Sequence, residues 1–212
     1  INAVRLINVN YNNNAYRISD ETLHFNGEST LISLQNGGGK SVLVQMLTAP
    51  FVHPRYRNTK DRLFESYFTT NKPSFILVEW ALDQGAGYVL TGLMARKSQD
   101  MEEDRKENLD IIGIVSEYQS PCIQDIHHLP VVEKGKKEMI LKNFNSCRLL
   151  FETYKKDRDM KFFYYDLTNS AQSRQYFDKL MEYQINYKEW ETIIKKINRK
   201  ESGLSDLFAD CR

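Results

Sequence analysis

Gly37, Gly38 and Gly39 run directly into Lys40 and Ser41, inside the stretch "LISLQNGGGKSVLV" at 31–44. Consecutive glycines allow several backbone N–H groups to turn toward one point, because no Cβ restricts their dihedral angles. A lysine beside them adds a mobile positive charge, and a serine hydroxyl can bind Mg²⁺. Together these residue types suit a polyphosphate. The chemistry also needs a strand before the glycines and a helix opening at Lys40, because a helix N-terminus adds positive potential. The full pattern G-x-x-x-x-G-K-[ST] would place its first glycine at 34, where this chain has Leu34, so the start of the loop departs from it. The competing reading is a flexible glycine turn that happens to precede Lys-Ser.

The flanking elements meet the requirement. Residues 30–34 (TLISL) are β-branched and apolar and read as a strand. "KSVLVQMLTAPF" puts Val42, Leu43, Met46 and Leu47 at helical spacing, and Pro50 ends the run. Upstream, 3–9 (AVRLINV) reads as a strand, and turn chemistry at Asn12–Asn14 and Asn26–Gly27 predicts a β-meander leading into the glycines. Downstream, 61–68 reads as a short amphipathic helix, and 74–82 and 87–96 as strands joined by a hairpin at "DQGAG". Residues 98–108 read as a charged, solvated connector, 109–118 as a strand, 137–155 as a helix and 161–167 as a strand. That helix would carry Met139, Ile140, Phe144, Cys147, Leu150 and Phe151 on one side. Two helices close the chain. An Asn186–Glu189 capping box starts the second, and Trp190, Ile193, Ile194 and Ile197 form its apolar stripe. The fold class is α/β, with a mixed or antiparallel sheet rather than a βαβ series.

Phosphoryl chemistry also needs an acid for Mg²⁺ and for the attacking water. Two apolar runs end in one: "FILVEW" at Glu79 and "FFYYDL" at Asp166. Neither continues into an Asp-Glu pair, and a strand that reaches a sheet edge often ends in an acid. "SGLSD" at 202–206 is a poor imitation of an LSGG-type signature. The stretch 53–62 (HPRYRNTKDR) gathers Arg55, Arg57, Lys60 and Arg62, either as a contact for DNA or phosphate or as a solvated basic loop. Gln119 and Gln172 each resemble the glutamine that senses Mg²⁺ in ABC-type ATPase sites. His127 and His128 lack a partner at metal-ligand spacing.

Bulk composition narrows the class. Hydrophobic residues make up 41% and charged residues 27% of 212, as in an ordinary globular chain. A net charge of +1 makes no general case for nucleic acid, so any DNA contact needs a local basic patch. No apolar run nears the roughly 20 residues that span a bilayer. Cys122, Cys147 and Cys211 are odd in number and far apart, which points to a reducing, cytoplasmic setting and away from zinc. The chain opens on Ile1, so its true start is expected to lie upstream.

"QNGGGKS", some 40 residues after the strand "VRLINVNY", resembles the Asn-Gly-x-Gly-Lys-Ser form of SMC-type ATPases such as SMC, MukB and RecN. The likeness covers the first ~50 residues. The tail "YKEWETIIKKINRKESGLSDLFAD" is similar to the segment before the coiled coil in MukB-like and Wadjet JetC-like heads. The resemblance implies a P-loop NTPase of ABC/SMC head type, with 1–170 as the N-terminal lobe carrying Walker A and 171–212 leading toward a coiled coil. It implies ATP on Asn36, Gly37, Gly38, Gly39, Lys40, Ser41 and Val42, with Mg²⁺ on Ser41. Such heads are split, so Walker B and the signature would come from a C-terminal lobe beyond this chain. A second head would complete a homodimer around two ATP molecules. DNA is an expected partner, near Arg55, Arg57 or Arg62, and kleisin-like subunits are further partners. Chromosome maintenance and defence against plasmids or phage are both implied roles. The rivals are a complete small P-loop NTPase or kinase using Asp166 as its Walker B acid, and a non-enzymatic binding module.

Overall fold

Five antiparallel pairings join six strands of the described residues into one sheet, in the order Tyr16–His24, Ala3–Tyr11, Ser74–Ala81, Tyr88–Lys97, Leu109–Tyr118, Lys161–Asp166. The computed structural model describes residues 1–11, 15–25, 39–99 and 107–199. The strands are β1 (Ala3–Tyr11), β2 (Tyr16–His24), β3 (Ser74–Ala81), β4 (Tyr88–Lys97), β5 (Leu109–Tyr118) and β8 (Lys161–Asp166). The helices are α1 (Gly39–Thr48), α2 (Phe144–Lys156), α3 (Ser170–Glu182) and α4 (Tyr187–Arg199). A separate hairpin pairs β6 (Val132–Lys134) with β7 (Met139–Leu141). The expected strand at 30–34 and the tail from residue 200 lie outside the described residues.

The inner strands are apolar on both faces because both faces are covered. On β3, Ile76 and Val78 join one buried layer with Val42, Leu43, Met46 and Leu47 of α1. Phe75 and Leu77 join the opposite layer with Phe144, Cys147 and Phe151 of α2. Alternation of side chains along a strand assigns the two sets. Tyr176, Phe177 and Leu180 place α3 in the same layer as α1. β1 changes face part-way. Val4 and Leu6 point to the α1 layer, Ala3 and Ile7 to the α2 layer, and Val9 returns to the α1 layer. Between Ile7 and Val9 stands Asn8 at a positive φ of 55°, a conformation that asparagine tolerates better than most residues. Its amide donates to Pro73 O at 3.3 Å, and its own carbonyl accepts from Ser74 Oγ at 2.6 Å. β2 is an edge strand with Arg17, Asp20 and Glu21 along it, a composition that discourages further pairing.

Two expected elements change. The helix expected over 137–155 is a strand, β7, and then a helix that starts only at Phe144. Asn143 caps that helix, its side chain accepting from Ser146 N at 2.8 Å. Met139–Leu141 instead pairs with Val132–Lys134. The segment expected as a helix at 61–68 is one 3₁₀ turn at Phe64–Tyr67. At α4, the side chain of Asn186 caps Lys188 N at 2.9 Å, one residue earlier than the expected box.

Gly113 on β5 lets α3 approach. A Cβ there would lie 2.8 Å from the ring of Tyr176, which is fully buried and anchored by its hydroxyl to Pro50 O at 2.7 Å. Gly113→Ala is therefore expected to lower stability by about 1–3 kcal/mol, the usual cost of overpacking a fixed core. Urea denaturation reads this as a lower midpoint at unchanged slope, and an unchanged midpoint would mean that the ring moves freely.

Candidate functional site

The helix that follows the glycines is buried almost throughout. Ser41 is exposed, and every residue from Val42 to Val52 is buried. A helix apolar on all sides belongs inside a core, and only Gln45 and Thr48 interrupt the apolar run. Thr48 Oγ1 donates to Val44 O at 2.9 Å, within the helix itself. Gln45 reaches outside it. Its Nε2 donates to Arg57 O at 2.9 Å and to Arg62 O at 3.2 Å, while its Oε1 accepts from the Tyr67 hydroxyl.

The 3₁₀ turn Ala49–Phe51 that follows α1 has two of its carbonyls satisfied by side chains from other segments. Arg57 Nε donates to Ala49 O at 3.0 Å, and Tyr176 OH to Pro50 O at 2.7 Å. A cation at this end also complements the helix dipole. At the other end stand Gly39, Lys40 and Ser41, with no acidic residue in the first turn to oppose an anion. Val42 turns its side chain into the core at 2% exposure, so only its backbone is placed to meet a phosphate. Asn36, Gly37 and Gly38 lie outside the described residues.

The basic stretch divides. Arg57, expected as a contact for DNA or phosphate, is instead 2% exposed with its guanidinium inside the core. Besides Ala49 O it faces the Phe64 ring at 5.8 Å and Glu107 at 3.9 Å. Burial lowers its pKa, opposed by Glu107, and burial raises that of Glu107, opposed by Arg57. The loose ion pair thus offsets only part of the desolvation. Arg55 is exposed and lies over the Tyr56 ring at 4.7 Å. Arg62 is half-buried. Of the three arginines, Arg55 alone presents an exposed side chain. Nearby, Glu191 of α4 accepts from His53 N at 3.1 Å and sits 2.6 Å from His53 Nδ1, which fastens α4 to the segment after α1.

The acids are occupied elsewhere. Glu79 lies on the α2 side of β3, away from α1, at 3% exposure. Its carboxylate accepts from Asn2 Nδ2 at 2.7 Å and from the Tyr118 hydroxyl. Asp166 ends β8, at the sheet edge opposite β2, and its Oδ1 accepts from Thr168 N and Oγ1 at 3.0 and 2.6 Å. A complete enzyme built on Asp166 needs a parallel strand beside the P-loop strand, and β8 pairs antiparallel with β5. Gln119 donates to Ala86 O, tying the end of β5 to the turn before β4, and Gln172 accepts from Asp166 N at the end of β8. His128 Nδ1 sits 2.8 Å from both oxygens of Asp125, and His127 stacks on His24. Among the described residues no group of three His, Cys, Asp or Glu is arranged to hold a metal ion. Burial pushes the Cys147 thiol up to about 12, against a smaller opposing effect of Lys142.

No family model matches this sequence, and no curated protein sequence does either. No helix among the described residues is long and apolar enough to cross a membrane.

Sequence reasoning missed Gln45 and misread Arg57. A lone amide in an otherwise apolar helix was the available signal for the first. For the second, the flanking aromatics Tyr56 and Phe64 were the signal. Arg57→Ala is expected to cost about 3 kcal/mol, as when one partner of a buried ion pair is removed. Arg55→Ala is expected to stay within about 0.5 kcal/mol, as for other surface changes. Chemical denaturation of the two variants checks this, and equal stabilities would contradict the buried assignment of Arg57.

Proposed function

We propose that this chain is the ATP- and Mg²⁺-binding N-terminal lobe of an SMC-like ATPase head. The observation that carries the reading is where α1 begins. The sequence runs from the glycines into a helix whose first residues are Gly39, Lys40 and Ser41, and whose body is buried in the core. That arrangement supports a polyphosphate at the helix N-terminus, with backbone N–H groups, the dipole and Lys40 sharing its charge. Ser41, exposed in the first turn, is the ligand for Mg²⁺.

In this reading the lobe binds and orients nucleotide, and hydrolysis waits on groups from elsewhere. Glu79 and Asp166 are both engaged in structural hydrogen bonds, which favours a metal-binding acid and a signature supplied by a C-terminal lobe and a second head. The work done is DNA-associated motion, in chromosome maintenance or defence, with kleisin-like subunits as partners in the cytoplasm. Arg55 is the basic residue best exposed to take part in a DNA contact.

Titration with a fluorescent ATP analogue in the presence of Mg²⁺ tests the reading. Wild type is expected to bind, Lys40→Ala to lose binding, and Asp166→Asn to bind as wild type does. Equal binding by wild type and Lys40→Ala would reject the phosphate site. Loss of binding in Asp166→Asn would favour the self-contained enzyme.

A further inference from the structure

We infer that Gln45 is a positioning residue that couples the nucleotide site at the start of α1 to the segment 57–67. The inference rests on the proposed phosphate site and adds a route by which its occupancy is read elsewhere. Gln45 lies one helical turn beyond Ser41, on the same face of α1. Its amide is engaged at both ends. Nε2 donates to the carbonyls of Arg57 and Arg62, and Oε1 accepts from Tyr67 OH at 2.5 Å. The segment is stiffened from within, because Arg62 O also accepts from Thr59 N at 2.9 Å and Arg62 N donates to Thr59 Oγ1 at 3.1 Å.

These bonds give the coupling its direction. Buried polar groups separated from their partners lose far more than exposed ones, because no water replaces the lost bond. Gln45 is 6% exposed and Tyr67 1% exposed. A shift or rotation of α1, as its first turn closes on a phosphate, thus carries the Arg57 and Arg62 carbonyls with it. A nucleotide that holds α1 in one position restricts the 57–67 segment to one arrangement.

Hydrogen–deuterium exchange of the whole protein, with and without ATP and Mg²⁺, tests this. In wild type, ATP is expected to slow exchange of the amides between Thr59 and Tyr67. Gln45→Met keeps the side-chain volume and removes the amide. Tyr67→Phe keeps the ring and removes the hydroxyl, and it alone decides the matter if Gln45→Met does not fold. Both variants are expected to bind ATP within about tenfold of wild type, the equivalent of one hydrogen bond, and to lose the slowing at 59–67. A purely structural role would change exchange equally with and without nucleotide. Slowing that persists in Tyr67→Phe, or wild type that binds ATP with no change at 59–67, would overturn the coupling and leave the phosphate site standing. Wild type that binds no ATP at all would overturn both.

Discussion

A helix buried along its length must have its end carbonyls satisfied from within the protein, because no water reaches them. The 3₁₀ turn Ala49–Phe51 that continues α1 meets this constraint with two side chains: Arg57, eight residues on, bonds Ala49 O, and Tyr176 of α3 bonds Pro50 O. Much of the surrounding architecture follows. Tyr176 reaches its partner because Gly113 leaves room for its ring beside β5. Arg57 reaches its own because the 53–67 segment folds back over the helix, where Gln45 and Tyr67 hold it. The N-terminal half and α3 thereby share one core layer.

Closing one end of α1 so firmly gives the other end its chemical character. With the cation Arg57 beyond the negative end of its dipole, α1 has its positive end at Gly39–Ser41, where an anion is stabilised. Lys40 and Ser41 stand there, after glycines that permit close backbone approach. The same economy settles the role of the basic stretch. Arg57 supports the segment after the helix from inside, the Arg62 carbonyl accepts from Gln45, and Arg55 faces outward. A segment that reads as uniformly basic is thus part scaffold and part surface.

Several strands were legible because both sheet faces are covered, which leaves unbroken apolar runs. "SFILVEWA" and "LDIIGIVSEY" become β3 and β5 nearly as read. β2 carries no such signal, since "YRISDETLH" is a polar edge strand and only the turn residues beside it hinted at a meander. The 137–155 misreading has a physical cause. Met139, Ile140 and Phe144 match a helical period by coincidence, whereas Asn143 marks the true start through its bond to Ser146 N. The candidate site was legible in its types and spacing at Gly37–Ser41, and illegible in its support. Nothing in a charge pattern separates a buried arginine from a solvated one. A glutamine inside an apolar helix does not name its partners, which lie 12 to 22 residues away.

The central claim is that ATP phosphates sit against Lys40. An ATP derivative carrying an acyl group on its terminal phosphate transfers that group to the lysine amine nearest the phosphates, and peptide mass spectrometry locates it. The account predicts that Lys40 is the principal lysine labelled in the whole protein and that excess ATP with Mg²⁺ suppresses the label. Labelling of Lys40 no greater than that of surface lysines such as Lys188, or labelling that excess ATP leaves unchanged, would contradict it.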